Sequence, residues 1–138
     1  KKFPMVNSRT KGAQFEREIV NLMRDWLGDE ATHGLRRNLT QYQVADEGDL
    51  KLGPFLIECK RYAKGDIHQG WWWDQILKAA GKEYIPLLIY RFDRRPTRMV
   101  FPLHIVGDYP ENLDYTCTVG VEEGIMIIRE KLCESSRV

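Results

Sequence analysis

The chain has 138 residues with 43% hydrophobic, 30% charged and 11% aromatic content, which suits a single folded domain and excludes intrinsic disorder. Its apolar runs are too short to span a bilayer, no secretory signal is visible, and three cysteines without CxxC spacing argue against disulfides and zinc, so we expect a cytoplasmic protein without a membrane partner. The formal net charge of +1 hides an asymmetry, because 18 of the 21 Lys and Arg residues lie before residue 108 with only 13 of the 20 Asp and Glu residues.

The first predicted element is an amphipathic helix over Gly12–Leu27. Apolar side chains recur at three- and four-residue spacing from Phe15 to Trp26, and Gly28 is placed to end the helix. Residues 1–11 are polar and basic, so we expect an N-terminal arm that precedes the helix within one domain spanning 1–138.

Strands are predicted to follow this helix. A strand around Leu35–Leu39 leads into a polar loop over Gln43–Gly48. Asp49–Leu52 and Phe55–Lys60 are typical of two strands, and the Gly53-Pro54 pair between them marks a tight turn. The two strands are therefore predicted to form a β-hairpin.

The second half of the chain returns to a helix and further strands. Trp71–Lys82 predicts a second helix, and the continuous apolar run Ile85–Phe92 predicts a central strand. Met99–Phe101 and Thr116–Val121 predict shorter strands, while Ile125–Cys133 is ambiguous between strand and helix, and we favour helix. The order of elements predicts an α/β domain with a mixed central β-sheet flanked by helices.

The predicted hairpin carries the residues for chemistry. Period-two geometry places Glu58 and Lys60 on one face of their strand with Cys59 on the other, and Asp49 opens the neighbouring strand. Acids on a partly buried face are costly without a cation, and carboxylate oxygens are natural ligands of Mg²⁺. Such a cation stabilises charge on a phosphodiester and helps to make hydroxide from water.

Each residue of this cluster has a predicted role. Asp49, Glu58 and the backbone carbonyl of Cys59 would hold the ion, and Lys60 would stabilise the charge that develops on the phosphate. Glu16 on the first helix would complete the metal shell, directly or through water. A surface hairpin with a salt bridge also explains the hairpin residues taken alone.

Three segments resemble the archaeal-type Holliday junction resolvases. Lys11–Val20 is similar to the opening of that family, Gly48–Leu50 to its metal-binding aspartate motif, and Ile57–Lys60 to its E-x-K strand. The resemblance implies a restriction-endonuclease-like PD-(D/E)XK fold, a homodimer, dependence on Mg²⁺ for which Mn²⁺ can substitute, and paired nicking of four-way DNA junctions in recombination and repair. It also implies catalytic roles for Glu16, Asp49, Glu58 and Lys60.

Other functions stay open, because the segment Leu35–Gly48 is longer than the family pattern and the run Trp71–Trp73 is unlike it. The first alternative is another PD-(D/E)XK DNA nuclease, of a repair or restriction-like kind. The second is a DNA-binding module without catalysis, in which the acids and the lysine form only a salt-bridge network. Specificity depends on the surface and the dimer more than on the metal site.

Basic side chains around this cluster are predicted to bind DNA, although solvated surface charge explains any one of them equally well. They are Arg9, Lys11, Arg17, Arg36, Arg37, Arg61 and Lys64. Gln75 and Lys78 share a face of the second helix and either assist at the metal site or form a solvated face. Trp71–Trp73 cannot all be core, so at least one ring is expected to be exposed, to stack on a base or to enter a dimer interface.

Overall fold

The computed structural model describes residues 8–37, 50–68 and 70–135, with side chains for 11–35, 50–68 and 70–134. The helices are α1 (Ser8–Leu27), α2 (Gly70–Ala80) and α3 (Val121–Ser135), and a short 3₁₀ helix covers Leu103–Ile105. The strands are β1 (Arg36–Arg37), β2 (Leu50–Leu52), β3 (Phe55–Tyr62), β4 (Ile85–Phe92), β5 (Arg98–Pro102) and β6 (Thr116–Val119). No helix in these ranges is both long and apolar enough to cross a membrane.

The strands lie side by side in one sheet, in the order in which they occur along the chain. β3 and β4 pair in parallel over eight residues, from Phe55 opposite Ile85 to Tyr62 opposite Phe92, and the other neighbouring strands pair antiparallel. A parallel pair requires a crossover, and α2 supplies it. The predicted mixed sheet flanked by helices is therefore confirmed, and the carboxyl ends of β3 and β4 meet at one edge.

Alternating side chains of the strands fill two cores, one on each face of the sheet. On one face, Phe55 and Ile57 of β3 pack with Phe15 of α1 and Ile125 of α3. On the other face, Leu56 packs against α2 in a core that also contains Trp72, Trp73, Ile76, Leu88, Tyr90 and Phe92. Burial of both faces explains why β3 and β4 have nearly continuous apolar sequences.

Two helices begin four residues earlier than the sequence predicts. α1 begins at Ser8 instead of Gly12, so the last residues of the predicted arm are helical, and the Nζ atom of Lys11 lies 3.0 Å from a carboxylate oxygen of Asp93. α3 begins at Val121 instead of Ile125. Gly124 lies inside this helix and does not mark a turn. A side chain there would collide with Met99 of β5, so the glycine permits close packing of the helix on the strand.

The turn between β4 and β5 contains a non-glycine residue in the left-handed region. Arg94 has a φ of 62°, and the amide of the following Arg95 donates a hydrogen bond to the carbonyl of Phe92 at 3.0 Å. A side chain in this conformation costs about 1–2 kcal/mol relative to glycine. We therefore expect Arg94→Gly to raise the free energy of unfolding by up to about 1 kcal/mol in urea titrations, because the relief of strain exceeds the extra unfolded-state entropy of glycine.

Arg95→Gly is the matched control. Arg95 is also exposed and is the next residue, but its φ is not positive, so glycine there relieves no strain. It adds unfolded-state entropy and removes an exposed ion pair with Asp66. Arg95→Gly should lower the free energy of unfolding by up to about 1 kcal/mol. Equal effects of the two substitutions would contradict the strain at Arg94.

Candidate active site

Glu58 is a buried carboxylate in the middle of β3, with 6% of its surface exposed. The apolar residues Phe55, Leu56 and Ile57 place it there, because they fix the depth of the strand between the two cores. Burial raises the pKa of the Glu58 carboxyl above its usual range, while the neighbouring Lys60 acts against the rise. The surroundings of Glu58 therefore favour its neutral carboxylic acid over its ionised carboxylate.

Lys60 lies two residues further along β3, on the same face, as the period of the strand predicts. Its Nζ atom is 3.5 Å from Oε1 of Glu58, and its side chain is largely buried. The same Nζ atom lies 5.1 Å from the ring centroid of Trp71 at the start of α2, a distance typical of a cation–π contact. The ammonium group is thus held between a carboxylate and an indole.

Glu16 brings a second carboxylate to this place from α1. It is a buried charged residue, with 4% of its surface exposed, beside the core residue Phe15. Its charge contributes to the raised pKa of Glu58, so the two carboxylates are close enough to repel each other. Glu58 and Lys60 are therefore in contact, and Glu16 is near enough for its charge to act on Glu58; these are three of the four residues predicted to be catalytic.

Asp49, the fourth predicted catalytic residue, lies outside the described residues. It directly precedes Leu50, which pairs with Ile57, the neighbour of Glu58. Cys59, whose backbone carbonyl was predicted as a metal ligand, has its side chain on the opposite face, against the core under α1.

The donors present fit a hard divalent cation. Within the described ranges no three His, Cys, Asp or Glu side chains form a group that could hold a metal ion. Glu16 and Glu58 supply two carboxylates that repel each other, and a cation between them would remove both the repulsion and the cost of burying charge. Oxygen donors of this kind suit Mg²⁺ or Mn²⁺ better than a soft metal.

The residues predicted to bind DNA occupy different environments. Arg17 and Lys64 are exposed, and Lys11 and Arg61 are partly buried. Arg9 lies in α1, and Arg36 and Arg37 form β1, but their side chains are outside the described set.

Asp93 is a residue that the sequence did not single out. It follows β4, and its carboxylate forms ion pairs with both Lys11 of α1 and Arg61 of β3. Hydrogen bonds from Lys11 and then Arg61 hold the pKa of Asp93 below its usual range. The sequence signal that could have identified Asp93 is its position directly after a strand that runs parallel to β3. The carboxyl ends of two parallel strands meet at one edge of the sheet.

The second helix contributes aromatic and polar residues. Trp72 and Trp73 are buried and Trp71 is 51% exposed, as expected for three consecutive helical residues, and the indole of Trp73 donates a hydrogen bond to the carbonyl of Leu113 at 2.8 Å. Gln75 is half-buried and Lys78 is exposed, so only part of the predicted solvated face is open to solvent. Oε1 of Gln75 is buried and accepts no hydrogen bond from the described part of the chain.

Comparisons with known proteins identify the family and the fold of the chain. Residues 7–123 match the model of a family described as "Phage putative PDDEXK endonuclease". A solved structure of Hjc, a Holliday junction resolvase from the archaeal hyperthermophile Archaeoglobus fulgidus, superposes with a TM-score of 0.50 at 16% sequence identity, covering 84% of this chain and 96% of that one. A search of curated proteins found no match. The predicted PD-(D/E)XK fold is confirmed.

The raised pKa of Glu58 has a consequence for stability. The protonated Glu58 carboxyl stabilises the folded state relative to the ionised one. This contribution is complete below pH 4.5, the ordinary pKa of the group, and is lost as the pH rises through the raised pKa in the folded protein. We therefore expect Glu58→Gln to unfold at a higher temperature than the unmodified protein at pH 7.5 in EDTA. The difference should disappear as the pH is lowered below 4.5, which thermal unfolding across the pH range would measure.

Glu18→Gln is the control for this measurement. Glu18 is also on α1 but is largely exposed, and it pairs with Arg91 at 2.8 Å. Its substitution should lower stability by no more than about 1 kcal/mol, as for other surface ion pairs. A Glu58→Gln protein that is less stable than the unmodified protein at pH 7.5 would show that the ionised carboxylate is stabilising.

The Asp93 ion pairs allow a test of two predicted DNA contacts. In Asp93→Asn, Lys11 and Arg61 lose their anionic partner, so both become available to phosphates. We expect tighter DNA binding at low salt and a slope of log K against log salt that is steeper by up to about two, measured by titration in EDTA. Asp108→Asn, which removes the same charge from an exposed loop, is the control. An identical slope in both variants would mean that Lys11 and Arg61 have only a structural role.

Proposed function

Because the chain belongs to the family of phage PDDEXK endonucleases, we propose that it is a metal-dependent, structure-selective DNA endonuclease that makes paired nicks in four-way junctions. The observation that carries the proposal is the buried contact of Glu58 with Lys60 on β3, with the buried carboxylate of Glu16 on α1 near enough to act on Glu58. The likeness of the fold to a Holliday junction resolvase supports the choice of substrate.

The carboxylates are proposed to hold one or more divalent cations, Mg²⁺ or Mn²⁺. Glu58 and Asp49 are the proposed direct ligands, with the backbone carbonyl of Cys59, and Glu16 acts directly or through water. Asp49 is included because it precedes Leu50, and Leu50 pairs with the neighbour of Glu58. The chemistry that such a cation supplies when bound is charge stabilisation on the phosphate and activation of water.

Lys60 is proposed to act on the scissile phosphate. Its ammonium group is already oriented by Glu58 at 3.5 Å and by the ring of Trp71. A group fixed before the reaction needs no reorganisation when negative charge develops on the phosphate oxygens. Lys60 therefore donates hydrogen bonds to the phosphate or to the attacking water, and Glu58 keeps it in place.

DNA is proposed to approach across the edge where β3 and β4 end. Arg17 and Lys64 are exposed cations of the predicted set, and Lys11 and Arg61 are held there by Asp93. Contacts of this kind give affinity without sequence preference. Two opposed nicks require two active centres, so we further propose a homodimer.

The test is cleavage of a labelled synthetic four-way junction beside a linear duplex of the same sequence. With Mg²⁺, the unmodified protein should give paired nicks in the junction only. Asp49→Asn, Glu58→Gln and Lys60→Ala should each reduce the rate by at least about 100-fold, because each removes a ligand or the charge that faces the phosphate. EDTA should abolish cleavage.

Glu18→Gln is the matched control, since it changes an acid on the same helix as Glu16 without touching the cluster, and it should cut normally. The active species should sediment as a dimer. Equal cutting of junction and duplex would contradict the selectivity for junctions and would indicate a nuclease of a repair or restriction-like kind. DNA binding without cleavage, unchanged in Glu58→Gln, would indicate a binding module and overturn the proposal.

A further inference from the structure

Two exposed aromatic rings lie on a buried third ring next to the candidate active site. Tyr62, at the end of β3, is 42% exposed and stacks on Trp72 with a centroid distance of 5.1 Å and an interplanar angle of 15°. Trp71 packs edge-on against the same ring at 6.0 Å. Trp72 is itself buried against Phe92 and Tyr90, so both exposed rings have a rigid support.

The position of Trp71 relative to Lys60 connects these rings to the chemistry. The Nζ atom of Lys60 lies 5.1 Å from the Trp71 centroid. A phosphate that reaches this ammonium group therefore has the indole of Trp71 beside it. The part of the substrate nearest to that indole is the nucleoside attached to the phosphate. Exposed Lys64 follows Tyr62 closely in sequence, which adds positive charge to the same edge.

Packing explains the two buried tryptophans of α2 but does not explain Trp71. Trp72 and Trp73 fill the core under α2, whereas half of the Trp71 surface faces solvent in the first turn of the helix. Trp71 and Tyr62 are both exposed and both pack on Trp72, and exposed apolar patches mark binding sites.

On the basis of the proposed function, we infer that the ring of Trp71 is a stacking platform for a nucleobase that is unpaired beside the scissile phosphate. In a continuous duplex both faces of each base are covered by its neighbours, so an aromatic ring can stack only where a base is unstacked. The substrate class is therefore DNA with an unpaired or unstacked nucleotide at the cleavage point.

A nucleobase fits this patch better than a second copy of the chain. Trp71 covers one side of the Lys60 ammonium, so a partner protein seated on the ring would also cover Lys60 and close the site to phosphate. A base stacked on the ring leaves the ammonium facing its own phosphate. Base–aromatic stacking is also indifferent to sequence, which suits a structure-selective enzyme.

The experiment compares binding to two labelled duplexes in EDTA, one continuous and one with a single bulged 2-aminopurine. Trp71→Ala should weaken binding to the bulged duplex by about ten-fold more than binding to the continuous duplex, which is the effect of losing one base–aromatic stack. Trp71→Phe should retain most of the affinity. In the unmodified protein the 2-aminopurine fluorescence should be quenched on binding, and Trp71→Ala should remove that quenching.

Trp26→Ala is the matched control. Trp26 is 46% exposed, and it lies in α1 about 15 Å along the helix from Glu16. Its substitution should change neither affinity nor quenching. The platform is overturned if Trp71→Ala and the unmodified protein discriminate equally between the two duplexes, or if Trp71→Ala changes the oligomeric state, which would put the ring in an interface.

The two hypotheses fail in different ways. If the unmodified protein cuts no DNA with Mg²⁺, the proposed nuclease function fails, and the platform fails with it because it has no scissile phosphate to serve. If the unmodified protein cuts DNA and Glu58→Gln does not, while Trp71→Ala keeps the preference for the bulged duplex, the nuclease stands and the platform alone is overturned.

Discussion

The parallel pairing of β3 with β4 is the constraint on which the rest of the structure depends. Its eight-residue register requires a crossover helix, and it places the carboxyl ends of both strands at one edge. Lys60, Tyr62 and Asp93 all reach that edge because of this register. The crossover then brings the first turn of α2, with Trp71, next to Lys60. One pairing therefore accounts for both the chemistry and the surface around it.

The buried charges of the candidate active site lower the stability of the fold. Glu58 continues a strand of buried apolar residues, so it is desolvated, and its attraction to Lys60 does not offset that desolvation. Hydrophobic residues at both Glu58 and Lys60 would fill the same space at lower cost. Glu16 adds a second buried carboxylate nearby. Local conflict with packing rules is expected where a protein has a functional site, and the cluster of Glu16, Glu58 and Lys60 is such a conflict.

The sequence predicts those features that depend on neighbouring residues. The bounds of Ile85–Phe92 follow from one continuous apolar run, and the shared face of Glu58 and Lys60 follows from the period of a strand. The E-x-K motif and the upstream helix indicate the fold. The pairing of Asp93 with Lys11 could not be predicted, because residues 82 positions apart meet only through the sheet topology.

The early start of α3 could not be predicted from the sequence for a related reason. Gly124 has the local properties of a helix breaker, and only the closeness of Met99 on another strand reveals its purpose. The same limit applies to the three tryptophans. Their periodicity shows that one of them must be exposed, but the choice of Trp71 depends on how α2 sits against β3 and β4.

The contact between α1 and α3 bears on the order in which the molecule folds. Arg129 of α3 donates a hydrogen bond at 2.7 Å to the carbonyl of Trp26 in α1, a residue 103 positions earlier, and Ile125 and Ile128 complete the core that α1 begins. Loop closure over such a distance is entropically expensive and slow. While the chain is being synthesised, one face of the sheet stays open until α3 has emerged. The helix that carries Glu16 therefore lacks its contacts with α3 until the end of the described chain is available.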